Sequence, residues 1–253
     1  MTPLRGASLH ASGRGAVELL LEGNWRCRVS IVCDGVGRVL FTPPDGLREP
    51  RTWAIAPGPE STLHGQDRAT LFAESIATIE QTGSEIQLEA GKLRARIRLS
   101  PFAIDWEQQI DGQWQRCCSD RPSYAYGSAS RSGTLTHWQA RDGHDQYFGL
   151  GDKTGPLNKA GRRLRTRQLD ALGYNGETSD PLYKHWPFFL GRRTDTGSSY
   201  GIYYDTLAEC TFDFGQEFDN YHDFYRATEI ADGDLDYYVI AGPEVAQALA
   251  RLF

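Results

Sequence analysis

The chain lacks the features by which a metal, a nucleic acid or a membrane would organise it. Neither a CxxC nor an HExxH occurs and the six histidines are scattered, so no zinc-ligand spacing is present. A basic excess is missing too. The 27 Lys and Arg stand against 33 Asp and Glu, a net charge of −6 at pH 7, which removes the footprint of a general nucleic-acid binder. The longest aliphatic run, Leu19–Leu21, is far shorter than the ~20 apolar residues of a membrane helix. The opening MTPLRGASLHASGRG has no apolar core of the signal-peptide kind. Five cysteines cannot all pair. Cys27 and Cys33 fall on one face of an expected strand, but six residues of strand span roughly 20 Å, whereas a disulfide holds its Cα atoms within about 7 Å. A reducing, cytoplasmic setting is expected, with no metal and no cofactor.

What is present is alternation. The 253 residues, 40% hydrophobic and 24% charged, have ordinary globular composition and suffice for one large all-β domain. Val17, Leu19 and Leu21 make one strand face. Cys27, Val29, Ile31 and Cys33 make another, with Arg26, Arg28 and Ser30 opposite, and Val39 and Phe41 form a third before the turn Pro43–Pro44–Asp45–Gly46. Residues 42–68 read as loop, followed by short strands at Leu71–Phe72, Ile76–Ile79 and Ile86–Leu88. Leu93, Ala95, Ile97 and Leu99 interleave with Arg94, Arg96 and Arg98, whose expected role is a charged solvent face that protects the sheet. Asp111–Gly112 predicts a hairpin turn between Gln108–Ile110 and Trp114. Residues 119–146 have no period, and 215–234 read as loop or weak strands. Further strands are expected at 201–204, 210–214 and 235–240. Pro243 then opens a helix with Val245, Leu249 and Leu252 on one side. That stripe runs to the last residue, so a piece of a longer polypeptide is expected. The pattern as a whole predicts an all-β antiparallel sandwich with a short C-terminal helix.

One stretch departs from this pattern. Tyr147–Leu190 crowds glycines, prolines, a basic cluster and several carboxylates ahead of an aromatic end, with little periodicity. A loop of that length in a compact domain is functional or disordered, and Tyr174, Tyr183, Trp186, Phe188 and Phe189 argue for order. Gly149, Gly151 and Gly155 read as turn formers, Asp152 as a partner for loop amides, and Arg162, Arg163, Arg165 and Arg167 as a solvated face.

FGLGDKTGPLNKAG (148–161), the acid Asp170, Tyr183–Lys184–His185–Trp186–Pro187–Phe188, Tyr200–Gly201–Ile202 and the closing YYVIAGPEVAQALARLF together resemble glycoside hydrolase family 31. They stand in that family's order from residue 147 to the end; residues 1–146 match in strand content only. The resemblance implies a galactose-mutarotase-like β-sandwich (1–242), with 243–253 starting a linker into a (β/α)8 barrel that this sequence does not contain. It implies an enzyme acting mainly on α-glucosides with retention, through two barrel carboxylates about 5–5.5 Å apart. No catalytic residue is therefore assigned here. The implied partners are an α-glucoside or related oligosaccharide and the chain's own barrel.

By motif order, the resemblance implies that Asp170 contacts sugar hydroxyls. A carboxylate suits this, since it accepts two charge-assisted hydrogen bonds from neighbouring hydroxyls. Arg167 and Gln168 stand where many members carry an aromatic–Asn pair. Tyr174 is the candidate stacking aromatic, while Trp186, Phe188 and Phe189 are expected in the core or against the barrel. Three other readings remain open at this point. One is a stand-alone carbohydrate-binding module. Another is a mutarotase-like epimerase drawing on His137, His144 or His185. The third is a scaffold without a ligand.

Overall fold

A computed structural model describes residues 1–49, 52, 68, 75–129, 131–217 and 224–252. The Leu71–Phe72 strand and most of the 42–68 loop lie outside the described residues. Among these, the strands form two antiparallel sheets. The larger runs edge to edge through Arg163–Thr166, Cys210–Asp213, Tyr225–Ile230, Leu135–Ala140, Gln113–Asp120, Phe102–Ile110, Leu93–Leu99, Glu85–Ala90 and Thr78–Thr82. Leu135–Ala140 forks: one end pairs with Gln113–Asp120 and the other with Tyr126–Ser128, which in turn holds Thr2–Pro3. The smaller sheet runs Gln146–Gly149, Phe188–Arg192, Ser199–Tyr204, Asp236–Gly242, Val36–Thr42, Arg26–Cys33, Ala16–Leu21 and Ala7–Ser12. The expected all-β sandwich is the observed fold.

Period-two faces build the core. Val17, Leu19, Val29, Ile31, Val39 and Phe41 of the small sheet meet Ile86, Leu88, Ala95, Ile97, Phe102, Ile104 and Trp106 of the large one, and all are buried. Trp106 needs room across the gap, and Gly37 supplies it: a Cβ there would overlap the indole ring. Asp111 and Gly112 both have positive φ (51° and 78°), as a two-residue hairpin turn of matching twist requires, and Ile110 pairs with Gln113. On the large sheet's outward face Arg96 grips Glu85 at 2.9 and 3.1 Å, Arg94 reaches Glu107 at 2.6 Å, and Arg98 lies 3.8 Å from Asp105. The arginine stripe is the charged face that its alternation predicted.

Several boundaries differ from expectation, each for a local reason. Cys33 is exposed rather than inward, because a register shift between Ile31 and Cys33 turns the strand end outward. All five cysteines are free. Strands Tyr126–Ser128 and Leu135–Ala140 arise in the 119–146 stretch that shows no period. Their inward positions include His137 and Gln139, whose polarity hides the alternation. Tyr225–Ile230 forms a full central strand, its Arg226 equally buried. The helix spans Val245–Leu252, two residues past Pro243; it seats Ala248 on Gly242 and leaves Val245 37% exposed.

Two buried polar clusters are built from groups that answer one another. Arg226 lies between the sheets against the rings of Tyr147, Phe189 and Tyr200, with Gln139 Oε1 accepting at 3.1 and 3.0 Å and the Tyr200 hydroxyl accepting a third bond. His137 stacks on Tyr126 and holds Asp120 at 2.8 Å and the Tyr204 hydroxyl at 3.0 Å. On the small sheet's outer face, Val36, Phe188, Leu190, Tyr203, Tyr238 and Ile240 pack around Ala248 of the helix. An ionic cluster adjoins them. Arg38 binds Asp236 through two hydrogen bonds, at 2.9 and 2.7 Å, and the Arg68 guanidinium lies 3.6–3.9 Å from Asp205, Asp234 and Asp236. Asp234 also accepts the amides of Arg48 and Glu49 at 3.0 and 2.9 Å, tying that segment to the sheet.

Two outcomes follow from this cluster. Asp236→Ala strands the Arg38 charge in a buried site and should cost about 3–5 kcal/mol, read as a lowered urea midpoint. Asp205 is held above the ordinary carboxylate range, first by burial and then by the neighbouring Asp236 charge. The folded state therefore binds that proton more tightly than the unfolded chain, and its contribution to stability falls as pH rises from about 4 through the raised value. Asp205→Asn removes this titration, so the variant should gain stability relative to wild type across that rise, measured by denaturant unfolding at successive pH values.

Candidate functional site

The irregular stretch begins where Gln146–Gly149 leaves the small sheet. Gly149, Leu150 and Gly151 take three successive positive φ values, 121°, 65° and 69°. A Cβ at Gly149 would sit 2.7 Å from the Phe188 carbonyl oxygen, and buried Leu150 donates its amide to that same oxygen at 2.8 Å. A non-glycine residue in this region costs about 1–2 kcal/mol. Here the sheet contact and burial of the Leu150 side chain hold it. The glycines are turn formers, as read from the sequence.

Side chains then replace the missing ladder. Asn158 Oδ1 accepts the amides of Tyr147 and Ala160 at 3.0 and 3.1 Å, and Arg162 donates to the Thr154 carbonyl at 2.6 Å. Arg163–Thr166 joins the edge of the large sheet beside Cys210–Asp213. The chain next makes an excursion over 167–179 and returns to the small sheet at Phe188. At its neck, Asp180 accepts the Arg165 amide at 2.6 Å and the Thr154 hydroxyl donates to the Ser179 carbonyl at 2.9 Å. Further along, both ring nitrogens of His185 face backbone carbonyls, Thr166 at 3.1 Å and Thr206 at 2.8 Å. So the stretch is ordered loop with three strand segments inside it, the end of Gln146–Gly149, Arg163–Thr166 and the start of Phe188–Arg192.

The excursion encloses an open hollow of about 520 Å³ lined by Arg165, Leu169, Asp170, Leu172, Tyr174 and Asp180, among others. Both residues singled out in the sequence are on it. Asp170 is exposed and makes no hydrogen bond or ion pair with any described residue. Tyr174, 54% exposed, meets Tyr183 edge to face, with centroids 6.3 Å apart. The Tyr183 hydroxyl donates to the Ala171 carbonyl at 3.2 Å, next to Asp170. Leu157, Leu172 and Trp186 are also exposed on this stretch, whereas Phe188 and Phe189 are buried strand residues. Asp152 differs from expectation: it pairs with Lys184 at 3.1 Å rather than with loop amides. Three of the four arginines of the basic run have acidic neighbours, and Arg162 is the exception, bonded to the Thr154 carbonyl. Arg163 binds Asp213 and Glu217, and Arg165 and Arg167 share Glu209 at 3.7 and 3.6 Å.

Sequence reading passed over Lys153 and Asp180. The Asp180–Pro181 dipeptide is a turn signal, but nothing in the spacing announces that the two residues meet. The described residues contain no group of His, Cys, Asp and Glu able to hold a metal ion. No described helix is long and apolar enough to cross a membrane.

Residues 26–213 match the family model of the glycosyl hydrolase 31 N-terminal galactose mutarotase-like domain. The chain belongs to this family. Among curated relatives, Alpha-glucosidase 2 of Bacillus thermoamyloliquefaciens is 27% identical over 225 residues, which are 88% of this chain and 26% of that protein. The chain thus spans about a quarter of the relative's length. Among solved structures, a family 31 dextranase of Flavobacterium johnsoniae complexed with glucose superposes with a TM-score of 0.78 at 21% identity, covering 100% of this chain and 28% of that one. The cycloalternan-forming enzyme of Listeria monocytogenes, in complex with a pentasaccharide substrate, gives 0.66 at 14% identity, covering 96% and 21%. At those identities the two structures establish the fold alone.

Sharing a mutarotase-like fold does not give this family 31 domain a mutarotase site on His137, His144 or His185. His137 is sealed in the core with Asp120, His144 sits exposed on a turn held by Asp142, and His185 spends both nitrogens on carbonyls. Among the described residues no histidine faces a carboxylate across an open pocket. Freshly dissolved glucose should therefore approach its equilibrium rotation at the buffer rate when the chain is added; an accelerated decay in polarimetry would restore the epimerase reading.

Proposed function

We propose that this chain is the N-terminal accessory domain of a retaining α-glucosidase-type hydrolase, and that its 167–179 excursion forms one wall of the sugar pocket. In this reading residues 1–242 are the sandwich and 243–253 lead into a catalytic (β/α)8 barrel that supplies the nucleophile and acid/base. The substrate is an α-glucoside or related oligosaccharide. The carrying observation is Asp170: an exposed carboxylate without a partner among the described residues that lines the hollow, whereas Glu177, the excursion's other unpaired acid, lies off it. Its two oxygens are free to accept hydroxyls, and charge-assisted acceptors of this kind are the strong ones. Tyr174 beside it offers a ring face to a sugar. The exposed Leu157, Leu172 and Trp186 fit a surface that the barrel covers. The five free cysteines support a reducing, cytoplasmic setting.

A purely scaffolding domain is the competing account, and one substitution separates the two. In the polypeptide that continues past Phe253, Asp170→Ala should lower kcat/KM on p-nitrophenyl α-glucoside or a maltooligosaccharide by about ten- to a hundredfold, the equivalent of about 1.5–3 kcal/mol for a lost charged hydrogen bond. Unchanged kinetics would leave scaffolding as the function. Hydrolysis by the 253-residue chain alone would contradict the accessory role.

A further inference from the structure

We infer that Lys153 and Asp180 are positioning residues for Asp170, bolting the neck of the 167–179 excursion so that its carboxylate is presented in one fixed place. The inference rests on the reading of Asp170 as a sugar contact. Lys153 has no exposed side-chain surface; its ammonium lies 3.3 Å from Asp180 Oδ1 and donates to the Arg165 carbonyl. Asp180 Oδ2 takes the Arg165 amide at 2.6 Å, and the Asp180 carbonyl takes the Arg165 guanidinium at 3.0 Å. Thr154, next to Lys153, holds Ser179. Both sides of the neck, 165 and 179–180, are thus fastened to 153–154, a segment outside the excursion. A buried ammonium survives only with such partners, so this fastening is obligatory in a way that the exposed Lys184–Asp152 pair is not.

Within the loop, the Asn175 amide donates to the Ser179 hydroxyl at 2.8 Å and the Ser179 amide to the Asn175 carbonyl at 3.1 Å. Tyr183 fastens Ala171 from the return segment. Asp170 is left as the unfastened acid that lines the hollow, on a frame fastened at its neck. An unbolted neck would transfer the cost of ordering the loop to the moment of sugar binding.

The test has two arms. In the first, the 253-residue chain is exposed to limited chymotrypsin, with cuts after Leu172 and Tyr174 followed by mass spectrometry. K153M and D180N should be cut about tenfold faster than wild type, K153R should restore resistance at least in part, and D170A should match wild type. Melting curves identify a variant that fails to fold, and D180N then stands in for K153M. Equal cutting in all folded variants overturns the inference. The second arm measures kcat/KM in the polypeptide that continues past Phe253. K153M should lower it about tenfold, and K153M/D170A should be no slower than D170A, because Lys153 acts through Asp170. Additive losses overturn the positioning role. An unaffected D170A removes the sugar contact, and with it the object being positioned, whatever the cutting rates.

Discussion

A backbone that leaves a sheet carries its amides and carbonyls with it, and each must find a partner or water. Between Gly149 and Phe188 this chain has few sheet partners outside Arg163–Thr166, and the loop and its hollow keep their shape because side chains take over the ladder's work. Asn158, Arg162, Thr154, Asp180 and His185 all bond main-chain groups at hydrogen-bond distance. Each fastening is local, so the loop can be ordered without being buried. That combination lets an exposed acid keep a defined position. Asp170 is conspicuous because it is an unpaired acid that lines the hollow.

The sandwich beneath solves a harder version of the same problem. Its core holds a guanidinium, Arg226, without a carboxylate of any described residue on it; three aromatic rings, an amide oxygen and a hydroxyl take that role. Tyr147 and Phe189, two of those rings, flank the start and the end of the irregular stretch, so the buried cation and the exposed loop share supports. The Arg38–Asp236 pair does the equivalent on the other side of the small sheet, where Arg68, Arg48 and Glu49 connect a distant segment to the same strand.

Where burial followed period two, the sequence was legible. Val17 to Leu21, Leu93 to Leu99 and the Asp111–Gly112 hairpin stand where alternation and turn chemistry put them. Legibility failed where the inward residue was polar. His137, Gln139 and Arg226 are buried because they satisfy one another and their aromatic neighbours, a relation between strands distant in sequence that no local window contains. The candidate site divides the same way. Asp170 was singled out by motif order and Tyr174 as an exposed aromatic, and both line the hollow, whereas Lys153 meeting Asp180 is a tertiary event. The helix also shows the limit: its spacing picked out Val245 and Leu249, but the close seat on Gly242 needs a small residue, and Ala248 fills it.

The rungs of opposite charge on the large sheet carry a last implication. A sizeable neighbour seated on Arg94, Arg96, Arg98, Glu85, Glu107 and Asp105 would have to dehydrate ions that already have their counterions, at several kcal/mol for each. Covering that side carries this dehydration cost, which the opposite side of the domain does not share to the same degree. A contact elsewhere on the surface escapes that cost, so electrostatics alone already ranks the faces as docking surfaces.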